Sequence, residues 1–273
     1  MEKPLEYLLV GSASSDPWSI SILDPNTGSA AWSFKGVELN GAEPSDIITV
    51  SNECLLMSAK GKPVVNAVGL QSRNRFHMRS ITAGPVSRMA VSPDGILLCV
   101  AVEEKIYTYM LSNGSLLSIV SGHYQGISKL KFTHDGWCLV SAGNDGLVQV
   151  WNVGDLATVH DPVLCKPSPL RKWSQHSMEV TDLHVGQGGA NCRIISCSKD
   201  QTLQLLSVAS GDVLLTVILD ATATSCCMDN AESRIFVGTG KGLICQINLF
   251  SVSQNSLKEK HVTTVGSETD TPF

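Results

Sequence analysis

Short apolar segments, separated by turn sequences, run through most of the chain. The clearest example is the stretch from Gly122 to Val153, where three apolar segments are separated by the turns His134-Asp135-Gly136 and Asn144-Asp145-Gly146. Glycine adopts the positive φ that tight hairpin turns need, so Asp-Gly between such segments predicts consecutive antiparallel hairpins. The pattern therefore predicts an all-β chain built from short strands.

Four side chains in this stretch have a characteristic spacing. Asp145 precedes Trp151 by six residues and Ser141 precedes it by ten. His123 precedes Asp145 by twenty-two residues. This spacing resembles that of a WD repeat, with Asn152 where the second letter of the usual dipeptide would be Asp. The resemblance implies a hydrogen-bond chain from Asp to His to Ser to the indole N–H, which ties the three inner strands of one propeller blade together.

Serine, histidine and aspartate are also the members of a hydrolase triad, so that alternative has to be weighed. A nucleophilic serine needs an exposed Oγ, usually on a sharp turn, with oxyanion donors facing it. Ser141 instead follows an apolar run in mid-strand, between Val140 and Ala142. Because buried polar groups must find partners, the pattern favours a structural role, and we expect no enzymatic activity.

The segment repeats along the chain. With Trp151 as the phase marker, the spacings between equivalent positions are 45, 41, 42, 55 and 41 residues. The equivalent positions are Leu23, Val68, Tyr109, Trp151, Leu206 and Ile247. A period in the low forties with four short strands per unit is typical of β-propeller blades. Residues 1–250 are therefore predicted to form six recognisable blades of a WD-repeat β-propeller, the first of which lacks its inner strand.

Of the other units, the fifth keeps the hydrogen-bonding residues in part, and the third and sixth lack the set. The fifth unit has His176, Ser196 and Asp200 at matching offsets, but Leu206 stands at the Trp position. Its hydrogen-bond chain is therefore expected to end at Ser196. In the sixth unit, the glycines of residues 238–242 lie between two strands, which indicates a hairpin turn rather than a phosphate-binding loop at the start of a helix.

Two stretches interrupt the repeat. The insertion from Gly154 to Gln175 contains three prolines and is predicted to be a surface loop. Residues 251–273 are polar and are predicted to be a disordered tail or a truncated inter-blade loop. Open sheet edges are expected at Leu5 to Val10 and at Ile244 to Leu249, with a gap between the first and sixth blades and a tendency to associate.

Composition narrows the function classes. The 273 residues are 43% hydrophobic and 16% charged, with a formal net charge of −5, so the whole chain gives no reason to expect nucleic-acid binding. We see no signal peptide, and the longest apolar run, Ile96 to Val102, is too short to span a bilayer. Nine cysteines without a Cys-x-x-Cys pair indicate reduced thiols rather than a metal site, and no cofactor is expected.

Two basic clusters are candidate partner-binding surfaces. Arg73, Arg75 and Arg79 are spaced so that on a strand they would share one face. They would contact RNA or an acidic partner, or protect the outermost strand of a blade from edge-to-edge pairing. The second cluster lies in the insertion and would be a partner contact or a solvated loop. Its members are Lys166, Arg171, Lys172 and Trp173.

Segments spread over residues 84–215 resemble a particular WD-repeat family, the WD-repeat subunit of the rixosome, a nuclear complex that matures the large ribosomal subunit. They are Gly84-Pro85-Val86-Ser87, Ser92-Pro93-Asp94-Gly95, His123-Tyr124-Gln125, Phe132-Thr133, Trp173-Ser174-Gln175-His176, Val180-Thr181-Asp182-Leu183-His184, Asp200-Gln201-Thr202 and Gly211-Asp212-Val213-Leu214-Leu215.

The resemblance implies a non-enzymatic scaffold of the nucleolus and nucleoplasm, acting in ribosomal RNA processing. Its partners would be helical-repeat scaffold subunits, a midasin-type ATPase and the spacer-cleaving nuclease. We expect no membrane partner. One alternative is a propeller that binds RNA or a phosphorylated peptide directly. Another is a scaffold of a different nuclear complex, such as one for replication licensing. The family pattern is a seven-bladed ring followed by a helical dimerisation segment. The seventh blade and this segment have no counterpart in the sequence, so we do not expect homodimerisation through it.

Overall fold

A computed structural model describes residues 8–12, 19–35, 43–50, 54–69, 75–158, 167–249 and 263–265. The chain divides into two compact units, Met1–Pro85 and Val86–Phe273. Antiparallel β-sheets dominate the described part of both units. We number the six sheets as blades 1 to 6 in chain order.

The first unit contains blades 1 and 2. Blade 1 is a three-stranded sheet in the order β1-β2-β3, with β1 (Leu8–Ser12), β2 (Ser19–Leu23) and β3 (Ala30–Lys35). Blade 2 follows in sequence order, with β4 (Pro44–Val50), β5 (Cys54–Ala59), β6 (Val64–Gly69) and β7 (Arg75–Ile81). Ile20 of blade 1 packs against Leu55 and Val68 of blade 2, so these two sheets share a core.

The second unit contains four blades of four strands each, again in sequence order. Blade 3 has β8 (Val86–Val91), β9 (Leu97–Val102), β10 (Lys105–Met110) and β11 (Leu116–Ser121). Blade 4 has β12 (Ile127–Phe132), β13 (Cys138–Gly143), β14 (Val148–Asn152) and β15 (Arg171–Trp173). Blade 5 has β16 (Val180–Val185), β17 (Arg193–Ser198), β18 (Thr202–Ser207) and β19 (Val213–Ile218). Blade 6 has β20 (Ala223–Met228), β21 (Arg234–Thr239), β22 (Ile244–Asn248) and β23 (Thr263–Val265).

The predicted phase of the repeat agrees with the strand order. Tyr109, Trp151, Leu206 and Ile247 all lie on the third strand of their blades. The first strands, β8, β12, β16 and β20, lie next to one another in that order. The second unit is thus built from one supersecondary unit repeated four times.

Glycines make the tight turns that connect the strands. Gly136, between β12 and β13, has φ +74°, and Gly146, between β13 and β14, has φ +76°. A β-carbon at Gly146 would also lie only 2.5 Å from the carbonyl oxygen of His176. Glycine is required there both by the left-handed backbone and by the close approach of the next loop.

The core lies between neighbouring sheets. Leu139 and Trp151 of blade 4 pack with Cys99 and Ile106 of blade 3. The other face of blade 4 packs on blade 5, and blade 5 packs on blade 6. Because the second strands are covered on both faces, every residue of β9 is buried, which explains the continuous apolar run in its sequence.

The insertion after Trp151 is only partly a loop, which corrects the prediction. It begins with a short helix, α1 (Val153–Ala157), whose first turn is capped by the Asn152 side chain accepting the N–H of Gly154 at 2.9 Å. Leu156 is buried, and its carbonyl oxygen accepts a 2.6 Å hydrogen bond from Ser118 Oγ on β11. The insertion then returns as β15, which pairs with β14.

The C-terminal segment also departs from the prediction. Within residues 251–273, Thr263–Val265 form β23, which pairs with β22 as the fourth strand of blade 6. The strand at Ile244 to Leu249 is therefore not an edge strand, as it lies between β21 and β23. At the other predicted edge, β1 is the terminal strand of its sheet, and Leu8, Leu9 and Val10 are exposed. The predicted tendency to associate stays a prediction.

Candidate functional site

Blade 4 brings the four residues singled out by their spacing into one hydrogen-bond chain. His123 Nδ1 lies 3.1 and 3.2 Å from the two carboxylate oxygens of Asp145. His123 Nε2 lies 2.8 Å from Ser141 Oγ, and Trp151 Nε1 donates to the same hydroxyl oxygen at 2.9 Å. The chain therefore connects the loop before β12 with β13, the following turn and β14.

Asp145 holds the ends of this chain in place. Its carboxylate accepts the backbone N–H of Tyr124 at 2.8 Å, next to His123, and the N–H of Leu147 at 3.1 Å. It thereby fixes both the loop that carries His123 and the turn that carries Asp145 itself. A carboxylate with several N–H donors is a strong anchor, because charge-assisted hydrogen bonds are roughly twice as strong as neutral ones.

The protonation states follow from the geometry. Burial lowers the pKa of His123, although the hydrogen bond and charge of Asp145 act in the opposite direction. A neutral imidazole has one donor and one acceptor nitrogen. Nδ1–H then donates to Asp145, and Nε2 accepts from the Ser141 hydroxyl, whose oxygen accepts from Trp151.

This arrangement does not suit nucleophilic catalysis. Ser141 is fully buried in mid-strand, and its Oγ already has two hydrogen-bond partners, His123 and Trp151. A nucleophile must be reachable by the substrate and must face oxyanion donors. What the arrangement can do is join β13 and β14 to the loop before β12 and to the turn between the two strands.

Blade 5 carries the shorter version of the chain. His176 Nε2 lies 2.8 Å from Ser196 Oγ, and His176 Nδ1 lies 3.2 Å from Asp200 Oδ2. Thr202, which the sequence analysis did not single out, adds a hydroxyl 3.0 Å from the same ring nitrogen. At the Trp position, the side chain of Leu206 is fully buried and has no polar group to extend the chain.

We expect the free energy of unfolding to fall as the pH is lowered from about 7 towards 5. Burial lowers the pKa of His123, His176 and His184. Between pH 7 and 5 the histidines of the unfolded chain bind protons that the buried histidines of the folded chain do not. The stabilisation is therefore fully present above the ordinary histidine pKa and is lost as the pH falls towards the lowered pKa values of the folded chain. Urea midpoints as a function of pH, with histidine Cε1–H NMR shifts, check this; a midpoint that rises on acidification would contradict it.

Three members of the second basic cluster, Arg171, Lys172 and Trp173, form β15, so this part of the cluster is not a solvated loop. Alternate side chains of a strand point to opposite faces. Arg171 donates from Nε and Nη2 to the carbonyl oxygens of Val208 and Ala209 in blade 5, at 3.1 and 2.9 Å.

Trp173 is buried on the same face as Arg171, and its Nε1 donates to the Gly211 carbonyl oxygen at 2.8 Å. Arg171 and Trp173 therefore fasten blade 4 to blade 5 and do not present a basic surface. Lys166, the fourth member predicted for this cluster, lies outside the described residues.

Lys172 points to the other face and meets an aromatic residue that the sequence analysis used only within a motif. Its Nζ lies 5.1 Å from the centroid of the Tyr124 ring, within the range of a cation–π interaction. The Tyr124 side chain is 78% exposed. Tyr124 and Lys172 together form what we call the Tyr124 surface. The sequence showed a tyrosine directly after His123 and a lysine in the insertion, but it did not show that these two residues, 48 positions apart, meet.

Two members of the first basic cluster lie in blade 2. Arg75 and Arg79 belong to β7, the last strand of the sheet, whose backbone pairs Arg79 with Asn66 and Arg75 with Val68. Arg73 lies outside the described residues. The alternatives of partner contact and edge protection therefore stay predictions.

The described part of the chain holds no group of three or more His, Cys, Asp or Glu side chains arranged to bind a metal ion. It also holds no helix long and apolar enough to cross a membrane.

Comparisons with known proteins agree with this geometry. The family described as "WD domain, G-beta repeat" matches residues 114–152, which include the hydrogen-bond chain of blade 4. Over 92% of its length, the chain is 36% identical to "Pre-rRNA-processing protein pro-1" of Caenorhabditis briggsae and 35% identical to "WD repeat-containing protein 18" of Rattus norvegicus. It covers 47% and 57% of these two proteins, so the chain spans about half the length of the curated relatives it matches.

A solved structure titled "Crystal Structure of Mitotic Checkpoint Complex" has a similar fold. The TM-score is 0.73 at 14% sequence identity, covering 89% of this chain and 71% of that chain, so the likeness concerns the fold alone. The predicted fold class is confirmed. The chain therefore has the fold of a WD-repeat β-propeller, and its sequence is similar to that of a protein named for pre-rRNA processing and to that of WD repeat-containing protein 18.

Proposed function

We propose that this protein is a non-enzymatic scaffold subunit of a nuclear complex that matures the large ribosomal subunit and processes its RNA. The observation that carries the proposal is the similarity, over 92% of this chain, to a protein named for pre-rRNA processing. The chain would act through protein–protein contacts with helical-repeat scaffold subunits, a midasin-type ATPase and the spacer nuclease. Its place of action would be the nucleolus and nucleoplasm.

The geometry of blade 4 supports a scaffold rather than an enzyme. The serine and histidine that could have formed a catalytic pair are buried and used to hold strands together. The side chains available for contacts lie instead at places such as the Tyr124 surface, where Lys172 lies over the Tyr124 ring. Aromatic and cationic side chains that are fixed in place are typical anchors of protein interfaces.

Direct RNA binding is the competing function, and the two described cations of the second basic cluster favour protein contacts over it. Arg171 is engaged with two backbone carbonyl oxygens, and Lys172 lies over the Tyr124 ring. The net charge of −5 further opposes nonspecific RNA affinity, which depends on the number of phosphates neutralised.

Affinity purification of the tagged chain from its own cells tests the proposal. We expect large-subunit assembly factors, including the helical-repeat subunits, the ATPase and the nuclease, to co-purify after nuclease treatment. The Lys172→Glu variant should reduce this recovery if the Tyr124 surface contributes, and Lys62→Glu, at an exposed site in the other unit, serves as the charge-matched control. Recovery of the tagged chain without any of these factors would reject the scaffold function.

The arginines of the first basic cluster separate the two functions. We expect reversal of Arg73, Arg75 and Arg79 to Glu to abolish co-purification, because the carboxylates of an acidic partner lose the arginines that pair with them. RNA affinity should be weak already in the unchanged chain. Filter binding at several salt concentrations and co-purification measure the two effects.

The matched control reverses the same number of charges at the exposed Lys62, Lys105 and Arg234. If the three arginines bind RNA instead, the reversal should abolish RNA binding and flatten its salt dependence by about 0.7 log units for each phosphate that is no longer neutralised. A reversal that leaves both co-purification and RNA binding intact would assign these arginines to edge protection.

A further inference from the structure

One backbone position is equivalent in blades 3 to 6. It directly precedes the second strand, and its carbonyl oxygen accepts the N–H of the residue that follows the third strand. The carbonyl oxygens belong to Ile96, Trp137, Cys192 and Ser233, and the donors are Leu111, Val153, Val208 and Leu249, at 2.8, 2.9, 3.2 and 2.8 Å respectively. The equivalence allows the four side chains to be compared directly.

The side chains at this position differ sharply. Trp137 is 67% exposed and Ile96 is 53% exposed, whereas Cys192 is fully buried and Ser233 is small and polar. The two exposed apolar residues belong to adjacent blades, and their turns touch, since a β-carbon at Gly136 would lie 3.4 Å from Cδ of Pro93. Blades 3 and 4 therefore present large apolar side chains from neighbouring turns.

The turn that carries Trp137 is held firmly. The Asp135 carboxylate accepts three hydrogen bonds. The donors are the Thr133 hydroxyl at 2.6 Å, the N–H of Trp137 at 3.1 Å and the N–H of Ala190 in blade 5 at 2.7 Å. In blade 3, Asp94 accepts the N–H of Ile96 at 3.0 Å and the Ser92 hydroxyl. Side chains on such fixed turns lose little backbone freedom when they bind, which favours affinity.

The turns that carry these side chains and the adjoining α1 are acidic. Asp94 and Asp135 belong to the two turns, and Asp155 lies in α1, which begins at the residue bonded to the Trp137 carbonyl oxygen. Neither the turns, residues 92–97 and 133–138, nor α1 contains a lysine or arginine.

Both turn carboxylates are ionised at neutral pH. The Ser92 hydroxyl lowers the pKa of Asp94. Burial acts to raise the pKa of Asp135, but its hydrogen bonds from Thr133, Trp137 and Ala190 lower it overall. The apolar side chains are thus accompanied by fixed negative charge.

We propose that Ile96 and Trp137, with the carboxylates of Asp94, Asp135 and Asp155 beside them, form a docking surface for an amphipathic segment of a partner protein whose apolar side chains are flanked by lysine or arginine. We call it the Trp137 surface. The proposal rests on the scaffold function and adds to it the chemistry of one partner. Tryptophan is enriched among residues that dominate interface energies, and complementary charge fixes orientation and suppresses wrong partners.

The test uses the full chain and two labelled synthetic peptides of about 18 residues, both amphipathic helices with leucines on one face. One carries lysines on its polar face and the other carries glutamates at the same positions. Fluorescence anisotropy should show tight binding of the Leu/Lys peptide and binding of the Leu/Glu peptide that is weaker by about tenfold or more. Trp137→Ser and Ile96→Ser should each weaken Leu/Lys binding, by about tenfold or more for Trp137→Ser.

Tyr124→Ser is the matched control, because Tyr124 is also an exposed aromatic of the second unit. It should leave peptide binding unchanged, and circular dichroism should show that all three variants are folded. The surface assignment is overturned by absent Leu/Lys binding, by equal binding of both peptides, or by a loss in Tyr124→Ser that matches the loss in Trp137→Ser. Self-association of the chain that disappears in Trp137→Ser would identify a second copy as the occupant and would overturn the proposed partner.

These outcomes are separate from a failure of the scaffold function. Absent or unselective peptide binding with normal co-purification of assembly factors would reject the Trp137 surface alone. Selective binding without co-purification would reject the ribosomal role and leave the chemistry of the surface in place.

Discussion

Replacing Trp151 with Ala is expected to destabilise the second unit by about 3–5 kcal/mol, the range for a buried tryptophan. Trp151 is only 1% exposed, packs in the core between blades 3 and 4, and donates its indole N–H to Ser141. The substitution removes both a large apolar volume and the end of the hydrogen-bond chain. Urea unfolding followed by circular dichroism gives the change in the free energy of unfolding.

The chain supplies two reference substitutions for this experiment. Trp137→Ala removes the same side chain from an exposed turn and should change stability by no more than about 0.5 kcal/mol. Tyr109→Ala removes a half-buried aromatic at the equivalent position of blade 3, and should cost less than Trp151→Ala. Equal losses at Trp151 and Tyr109 would argue that the hydrogen-bond chain adds nothing to packing.

Replacing Ser141 with Ala should cost about 2–4 kcal/mol, although it removes a single oxygen atom, because each buried polar group left unsatisfied costs about 1–3 kcal/mol. The substitution leaves two buried groups without their partner, His123 Nε2 and the Trp151 indole N–H. The same unfolding experiment measures the effect.

Ser196→Ala in blade 5 is the matched comparison. There the serine hydroxyl contacts His176 Nε2, and the Trp position is occupied by Leu206. The expected loss is therefore about half, since one buried group rather than two is left unsatisfied. A loss at Ser196 equal to that at Ser141 would show that the indole N–H contributes little.

The sequence predicted the parts of the fold that depend on local chemistry. Asp-Gly turns and alternating apolar residues determine hairpins within a few residues of one another, so blades 3 to 6 and their phase could be predicted. The spacing of His123, Ser141, Asp145 and Trp151 indicated a hydrogen-bond chain because a repeat places these positions at fixed places on two neighbouring strands and on the loop and turn beside them.

What could not be predicted depends on contacts between distant segments. β15 is three residues long and rich in basic side chains, and only pairing with β14 makes it a strand. β23 lies in a polar segment and is likewise defined by pairing with β22.

The surfaces have the same limitation. Tyr124 and Lys172 meet across 48 residues, and the turn that carries the exposed Trp137 is fastened to blade 5 by a hydrogen bond between residues 55 positions apart. A period-2 pattern alone distinguishes two faces of a strand but does not show which turn residues remain uncovered.

We propose that this protein serves maturation of the large ribosomal subunit as a scaffold. The most direct measurement is the level of large-subunit precursor RNA that retains its internal spacer, after depletion of the protein and re-expression of the chain. We expect the precursor to accumulate on depletion and to return to its normal level with the chain itself and with the Ser196→Ala variant, but not with the variant in which Arg73, Arg75 and Arg79 are reversed. Unchanged precursor levels after depletion would contradict the account.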